Sequence, residues 1–450
     1  MLSALAAVPA VLQTPKARVP LQFGATRKGR RTDAAMARWR NHRLGQILHF
    51  GLYSLAGGDW NGRHYDYAAE FIKESAKVSD AEYNALTARF QPSHDAPARW
   101  AALAKDMGAR YVVITTKHHE GFCLWPSRFT DFSVATTPYR ADFLGEYVRA
   151  CDAAGLDVML YYSILDWHHP DWRYTLTTDE DRAAFARFWS YCTNQLLELL
   201  ERYPQTKGFW FDGPWDESVK SHGAWTFELE QKLRGVNPAL VIGSRLRADE
   251  TGARHFDANG ELMGDYEQGW ERKLPDHPLE NDWECVMTVP ENQWGYQSQW
   301  KGHVKDANEL IEMMAQSVAY DGNFVLNIGP MGDGSIRSEE QALVRDIGAW
   351  MRVNGAAIHG CGRADLAKQD WGWFTKSAAD SRHYAIVCNV PVSRALKVTL
   401  PKAMSVAHAE LLDGKTTLRI ESISASEQRL HLPDRAFTRP AAIALDLAIA

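Results

Sequence analysis

Residues 208–217, GFWFDGPWDE, contain a short apolar run that ends directly in a carboxylate, Asp212. A glycine and a proline follow the acid, so the extended segment is expected to stop there. An apolar run of this length, rich in aromatic residues and bounded by turn residues, is typical of a buried strand. A strand of this kind holds the residue at its end in one direction. We therefore expect the strand to aim Asp212 at a functional site.

The segments on both sides of this run alternate between buried strands and amphipathic helices. One helix is predicted to start after Asp95 and to stop at Gly108. Its apolar residues recur with the spacing of a single helix face: Trp100, Leu103, Ala104 and Met107. Repeated strand–helix units indicate parallel strands covered by helices. An open doubly wound sheet is the first alternative, but its Gly-x-Gly-x-x-Gly signature is absent after the first strand.

Polar and charged residues collect directly after several different predicted strands. They are His49, His118, His119, Tyr161, Asp212 and Arg245. This pattern favours a (β/α)8-type, TIM-like barrel, in which the C-terminal ends of all strands face one shared site. After about residue 360, short alternating runs separated by turn residues predict an antiparallel β-sandwich. We expect an N-terminal extension in residues 1–35, a catalytic barrel in 36–358 and a sandwich domain in 359–450.

The composition argues against several classes of partner and site. The chain has 450 residues, 45% of them hydrophobic, and a net charge of −6 without a long run of either sign. This balance does not support binding to nucleic acid or to a membrane surface. The six cysteines lack C-x-x-C spacing, so neither a metal site nor a dense disulfide scaffold is expected. No cofactor is expected, and the sequence leaves the oligomeric state open.

The first fifteen residues, MLSALAAVPAVLQTP, are apolar and rich in alanine. They lack the positive charge that usually opens a secretory signal, so they are typical of a trimmed signal or of a leader. A periplasmic or secreted location is slightly favoured over a cytoplasmic one. No stretch of about 18 apolar residues occurs elsewhere, so no membrane-spanning helix is predicted.

Metal binding is one interpretation of the residues after the strands. His118 and His119 are neighbours, and on a strand they would point to opposite faces. Carboxylates are not placed to complete a ligand set, so no metal is predicted. A second interpretation is structural, with these side chains bonding each other at strand ends. That interpretation is adequate for any one residue, but it is much weaker for polar residues at several strand ends in one chain.

Glycoside hydrolysis is the third interpretation. It needs one carboxylate at the anomeric carbon, a second one to protonate the leaving oxygen, and neutral groups to hold sugar hydroxyls. Asp212 has the rigid apolar support that suits a nucleophile, and histidines and tyrosines suit the recognition of hydroxyl groups. Seventeen tryptophans also offer aromatic faces on which sugar rings stack.

Seven motifs carry a resemblance to a known family. They are HFGLYS, KDMGARYVVITTKHHEGFCLWPS, YYSILDW, WFDG, the arginine of GSR, WGY and NFVLNIGPMGDGSI. From about residue 40 to 360 the chain resembles the α-L-fucosidases of glycoside hydrolase family 29. The combination of TTKHH, an acid and GF with WFDG about ninety residues later is specific, whereas WFDG alone is not.

The resemblance implies a retaining exo-glycosidase that hydrolyses terminal α-L-fucosyl linkages of glycans. Asp212 stands where the family keeps its nucleophile, and Arg245 matches the arginine after the fifth strand. Further positions match residues that hold the fucose hydroxyls or line the pocket: His49, Asp59, Trp60, His118, His119, Tyr161 and Trp294. A small apolar cup is expected to receive the C5 methyl group. A related glycosidase such as an α-galactosidase, or a non-catalytic fucose-binding protein, is the alternative.

The acid/base is the residue that the resemblance assigns least directly. The loop GDYEQGWERKLP matches the place where many members carry the acid/base. Within it we predict Glu271, from its spacing ahead of DWE at residues 282–284. Glu284 is the second candidate and Glu267 the third. The family usually has Glu-Trp where this chain has Asp59 and Trp60, so one hydroxyl contact is expected to differ.

Overall fold

The computed structural model describes residues 18–449, and eight parallel strands in it form the predicted barrel. In chain order these strands are β1 (Leu44–Leu48), β2 (Tyr111–Lys117), β3 (Asp157–Ser163), β4 (Gly208–Asp212), β5 (Val241–Ile242), β6 (Glu267–Glu271), β7 (Trp283–Met287) and β8 (Asn323–Ile328). Neighbours pair in the order β5-β4-β3-β2-β1-β8-β7-β6. At the seam, the Asp265 N–H donates to Ile242 O (2.7 Å) and the Ser244 N–H to Tyr266 O (3.0 Å). The sheet therefore closes, and all C-terminal strand ends meet at one opening.

The described residues form eleven α-helices. They are α1 (Ala34–His42), α2 (Tyr53–Ala56), α3 (Ile72–Ser75), α4 (Asp80–Asn84), α5 (Ala96–Met107), α6 (Phe143–Ala154), α7 (Asp179–Arg202), α8 (Glu217–Lys220), α9 (Gly223–Val236), α10 (Ala307–Ala319) and α11 (Ser338–Asn354). The prediction for α5 is confirmed, since it begins after Asp95 and ends before Gly108. Gly108 adopts φ 91°, a left-handed conformation that glycine reaches without steric cost.

The strand–helix alternation fails on one side of the barrel. Within the described residues, neither the β5–β6 nor the β6–β7 connection contains an α-helix. The N-terminal segment lies against the β5–β6 connection instead. Glu250 and Asp257 of that connection accept backbone N–H groups of Gln22 (2.6 Å) and Ala25 (2.9 Å). The part of the predicted extension from residue 18 onward is thus bonded to the barrel, while residues 1–17 lie outside the described residues.

The alternation of side chains along β4 explains how Asp212 is aimed. Phe209 and Phe211 belong to the cluster between the sheet and the outer helices, whereas Trp210 belongs to the cluster inside the barrel. Side chains two residues apart on a strand share a face, so Asp212 points to the same interior as Trp210. The apolar residues of the strand anchor it on both faces, and the acid emerges at the open end.

The C-terminal part of the chain forms two antiparallel sheets. Its strands are β9 (Cys361–Arg363), β10 (Gly372–Ser377), β11 (His383–Val387), β12 (Ala395–Thr399), β13 (Met404–Leu411), β14 (Thr416–Thr417), β15 (Arg419–Ser424), β16 (Glu427–His431) and β17 (Ala441–Ile449). The sheets have the orders β9-β10-β11-β17-β13-β14 and β12-β16-β15, as the sandwich prediction requires. One face packs near α10, through Trp373 and Tyr320 with ring centroids 5.3 Å apart.

Across residues 18–449, no helix combines the length and the apolar character needed to cross a bilayer.

Candidate active site

A cavity of about 210 Å³ opens at the C-terminal ends of the barrel strands. Seven of the predicted site residues line it: His49, His118, His119, Asp212, Arg245, Glu271 and Trp294. They lie at or just after the ends of β1, β2, β4, β5, β6 and β7. Residues that are far apart in the chain therefore converge because parallel strands of a barrel all end at the same face.

Asp212 lies on the floor of this cavity and is only 9% exposed. The Tyr161 hydroxyl donates to its Oδ2 (2.7 Å), and Arg245 Nη1 donates to its Oδ1 (2.8 Å). His119 Nε2 lies 3.7 Å from Oδ2. Burial by itself raises the pKa of the Asp212 carboxyl, but Arg245, His119 and Tyr161 outweigh burial and hold that pKa below its ordinary value. The carboxyl is therefore ionised at neutral pH.

Arg245 connects two of the carboxyl groups that line the cavity, those of Asp212 and Glu271. While Nη1 contacts Asp212, Nη2 donates to Glu271 Oε1. Burial lowers the pKa of the guanidinium, yet Glu271 and Asp212 more than offset this and the pKa is raised. Glu271 is the last residue of β6, and its side chain is 28% exposed, more than that of Asp212. One carboxylate is thus buried and rigid, and the other has access to the cavity mouth.

The histidines of the cavity are neutral hydrogen-bonding groups. His49 Nδ1 bonds Asn327 Oδ1 (2.6 Å), and His119 Nδ1 bonds Ser163 Oγ (2.6 Å). Burial lowers the pKa of both imidazoles to about 4. A neutral imidazole offers one donor and one acceptor, which suits a sugar hydroxyl better than a charge does.

The prediction that His118 and His119 point to opposite faces is wrong. Strand β2 ends at Lys117, so neither histidine lies on a strand and the period of two does not apply. Their ring centroids are 4.1 Å apart, and both line the cavity. The turn after β2 brings both imidazoles to the same side.

Tyr161 supports the site from below and does not line the cavity. Its side chain is fully buried, and its hydroxyl contacts Asp212. Its ring stacks between His118 and Trp210, at centroid distances of 5.3 Å to each. The tyrosine thus contacts the carboxylate and a histidine, where the resemblance implied a contact with fucose.

Asp59 and Trp60 also lie outside the set of residues that line the cavity. They form one strand of a short hairpin with Arg63–His64. Asp59 accepts hydrogen bonds from His64 Nδ1 (2.7 Å) and from the Ser298 hydroxyl. The hairpin fixes its own carboxylate, and Trp60 packs against the barrel core.

The other two candidates for the acid/base are engaged elsewhere. Glu284 is 1% exposed inside the barrel and does not line the cavity. Burial raises its pKa to about 7. Glu267, at the opposite end of β6 from Glu271, accepts from Asn281 Nδ2 (3.0 Å) and Trp270 Nε1 (3.3 Å). Among the three glutamates, only Glu271 reaches the cavity.

Eight lining residues were not among the predicted site residues: Tyr67, Ala68, Glu70, Phe71, Trp210, Trp215, Arg272 and Asn292. Glu70 is the buried carboxyl group among them, at 2% exposure, and it accepts the Gly295 N–H (3.0 Å). Burial raises its pKa to about 7. Its segment, AAEFIK, carries no turn signal or motif that marks it. Trp210 and Trp215 flank Asp212 in the sequence, so their position beside the acid was the signal available.

Within residues 18–449, three side chains are grouped closely enough to share one metal ion: His118, His119 and Asp212, with ligand atoms within 4.8 Å of one another. The expectation that no carboxylate joins the histidines is therefore wrong. Strands β2 and β4 lie on either side of β3, so their C-terminal ends bring the histidines and Asp212 close together. Asp212 already accepts from Tyr161 and Arg245, and the guanidinium repels a cation at this position. The donor set fits sugar hydroxyls better than a metal.

Comparison with known proteins gives concordant matches. The sequence model of a family described as Alpha-L-fucosidase matches residues 10–356. The crystal structure of an alpha-L-fucosidase GH29 from Bacteroides thetaiotaomicron is 45% identical and covers 96% of this chain and 99% of its own, with a TM-score of 0.93.

Two further relatives extend this result. A second Bacteroides thetaiotaomicron structure, also 45% identical, covers 96% of this chain and 100% of its own with a TM-score of 0.93. It is a covalent intermediate trapped with 2-fluoro-fucosyl fluoride by means of a glutamate-to-glutamine mutant. Human plasma alpha-L-fucosidase is 28% identical over 415 residues, which cover 87% of this chain and 84% of the human protein.

Proposed function

Since the chain belongs to the α-L-fucosidase family, we propose that it releases terminal α-L-fucosyl units with retention, Asp212 acting as nucleophile and Glu271 as acid/base. The family activity makes it a glycoside hydrolase. Retention is supported by the relative of 45% identity, for which a covalent intermediate was trapped. A glutamate variant was used to trap it, which fits a glutamate acid/base.

One observation carries the assignment of the two carboxylates. A single guanidinium, that of Arg245, contacts Asp212 and Glu271 at once, so the two acids share one cavity. Retaining glycosidases need their carboxyl groups about 5–5.5 Å apart, while inverting enzymes need about 6.5–9.5 Å to admit a water molecule. Because one planar guanidinium contacts both carboxylates, the shorter separation between them, that of a retaining enzyme, is favoured.

The first step uses the difference in environment between the two acids. Asp212, ionised because Arg245 and Tyr161 donate to it, attacks the anomeric carbon and forms a covalent fucosyl ester. Glu271, protonated, donates its proton to the glycosidic oxygen as the bond to the leaving group breaks. Glu271 is the more exposed of the two acids, as a residue facing the leaving group must be.

The second step reverses the role of Glu271. As a carboxylate it removes a proton from water, whose oxygen attacks the anomeric carbon and releases Asp212. We propose that His49, His118 and His119 hold the fucose hydroxyls and that Trp294 forms one wall. Phe71 and Ala68 add apolar surface to the cavity for the C5 methyl group. Contacts from Asp59 and Trp60 to the sugar remain a prediction.

The nucleophile is tested with Asp212→Ala. This variant is expected to lose turnover of aryl α-L-fucosides but to retain fucose binding in calorimetry. Added azide takes the place of the missing carboxylate, so fucosyl azide of inverted, β configuration is expected with activated substrates. Wild-type turnover by this variant would falsify the assignment.

The acid/base is tested with Glu271→Ala on substrates with different leaving groups. The variant should lose far more activity on fucosyl-oligosaccharides than on dinitrophenyl fucoside, because the dinitrophenolate group leaves without being protonated. Azide should give the α-fucosyl azide in this case, because it attacks the fucosyl ester. Glu267→Gln is the matched control on the same strand, and its kinetics should stay at the wild-type level. The reverse pattern in the two variants would assign the role to Glu267.

Substrate preference is tested by comparing aryl α-L-fucoside with aryl α-galactoside. The comparisons give no support to a galactosidase or to a non-catalytic binding protein, so release from the fucoside alone is expected. A set of fucosylated oligosaccharides that differ in linkage then defines the glycan that the enzyme prefers.

The location and the domain division are also proposals. An apolar, alanine-rich stretch in residues 1–15 supports export to the periplasm or the medium, which fractionation of the native host tests. A boundary near residue 358 is supported by the start of β9 at Cys361 and by a separate apolar cluster around Trp371 and Phe374.

A further inference from the structure

Glu284 is a buried carboxyl for which the proposed reaction has no use. It lies on β7 inside the barrel, below the cavity floor, and each of its oxygens has its own donor. The Tyr111 hydroxyl donates to Oε2 (2.8 Å), and Trp210 Nε1 donates to Oε1 (2.7 Å). The indole N–H of Trp210 is that side chain's only polar group, so Glu284 determines where it points.

Trp210 in turn contacts both groups that donate to Asp212. Its ring stacks on Tyr161, with centroids 5.3 Å apart and planes inclined by 15°. The guanidinium carbon of Arg245 lies 4.8 Å from the indole centroid, within the range of a cation–π contact. Any rotation of the indole therefore disturbs Tyr161 and Arg245 together.

We propose that Glu284 is a positioning residue, which fixes the indole of Trp210 and thereby the two donors that orient Asp212. Because Arg245 also contacts Glu271, the same ring affects both carboxylates. This inference rests on the roles proposed above for Asp212 and Glu271. Without its acceptor, the buried indole N–H is left without a partner, and a ring shift toward another acceptor relieves that cost.

Three substitutions separate the hydrogen bond from burial and charge. Glu284→Leu removes the acceptor while keeping similar volume, and we expect kcat to fall about 10- to 100-fold, the effect of a misplacement near 1 Å. KM should change by less than about 3-fold, because His49 and His119 keep their own hydrogen bonds to Asn327 and Ser163. Glu284→Gln is expected to rescue kcat, since its amide oxygen accepts from Trp210 and its NH2 group donates to Tyr111. Tyr111→Phe, which removes only the other donor, should keep kcat near the wild-type value.

A double-mutant cycle tests whether Glu284 acts through Trp210. Trp210→Phe removes the N–H and should lower kcat by a similar factor. Adding Glu284→Leu to it should cause no further loss beyond about 2-fold. Additive losses, or equal losses in the Gln and Leu variants, would overturn the proposal. If Glu284→Leu does not fold by circular dichroism, Trp210→Phe decides alone, and wild-type kcat in that variant would overturn it.

The same measurements distinguish this inference from the proposed function. An inactive Asp212→Ala together with wild-type kcat in Glu284→Leu refutes the positioning role only. An active Asp212→Ala refutes the assigned nucleophile, whatever the Glu284 variants show.

Discussion

Replacing Arg245 by glutamine should move the acidic limb of the pH–rate profile to higher pH. Asp212 is buried, which by itself raises its pKa, and Arg245 is the leading cause that brings the pKa below its ordinary value. In the proposed mechanism, the ionised form of Asp212 is the active one. If its pKa rises, activity is lost at a higher pH as the solution is acidified, so the limb moves toward the alkaline side.

The size of the shift follows from the contact that is lost. Arg245 Nη1 donates to Asp212 Oδ1 at 2.8 Å, and a hydrogen bond to a charged group contributes about 1.5–3 kcal/mol. One pKa unit corresponds to about 1.36 kcal/mol, so the limb should move by about 1–2 units. Arg245→Lys keeps the charge but not the planar fork that reaches both carboxylates. Its limb should move less than that of the glutamine variant.

The assay is kcat/KM for an aryl α-L-fucoside measured from acidic to neutral pH, because this ratio reports the pKa values of the free enzyme. Wild type, Arg245→Gln and Arg245→Lys are compared at the same ionic strength. An acidic limb that stays in place in Arg245→Gln, with reduced activity at every pH, would show that Arg245 does not control the ionisation of Asp212. In that case the ionisation on the acidic limb belongs to another group.

Three further substitutions test separate parts of the structure. Tyr161→Phe removes the 2.7 Å hydrogen bond to Asp212 and should lower kcat/KM about 10-fold, whereas unchanged kinetics would exclude a role for that bond. Trp294→Ala removes a cavity wall and should raise KM about 3- to 10-fold with little change in kcat; a fall in kcat alone would contradict this. Lys117→Met leaves Asp166 buried without its 2.8 Å partner and should lower the free energy of unfolding by about 3–5 kcal/mol in urea, and a loss below about 1 kcal/mol would refute the pairing.

The sequence predicted the features that depend on local periodicity. Apolar spacing and the Gly108 stop predicted α5 correctly, and the run that ends at Asp212 predicted β4 with this acid at its end. Polar residues after successive strands were enough to predict a barrel, because parallel strands end at a common face. Such signals lie within a few residues of one another and need no knowledge of packing.

The contact between Glu271 and Arg245 depends on a register that the sequence does not encode locally. Glu267 and Glu271 lie four residues apart on β6, where simple alternation would give both the same face. The pairing of β6 with β7 shifts register between Glu267 and Trp270, and the two ends of the strand meet different neighbours. Of these glutamates, Glu271 contacts Arg245, and Glu284 lies inside the barrel and contacts Trp210.

The tertiary structure alone determined where side chains from connections lie. Glu70 reaches the cavity from the segment between β1 and β2, and Asp59 is held by its own hairpin outside the cavity. The sequence by itself determined several strands, among them β4 with Asp212 at its end, since strand and helix periods are local. It predicted a loop at GDYEQGWERKLP, where the structure has β6, because that segment has no apolar run and becomes a strand only by pairing with β7. The distances between Asp212, Arg245 and Glu271 came from barrel closure and packing, because those contacts join residues that are distant along the chain.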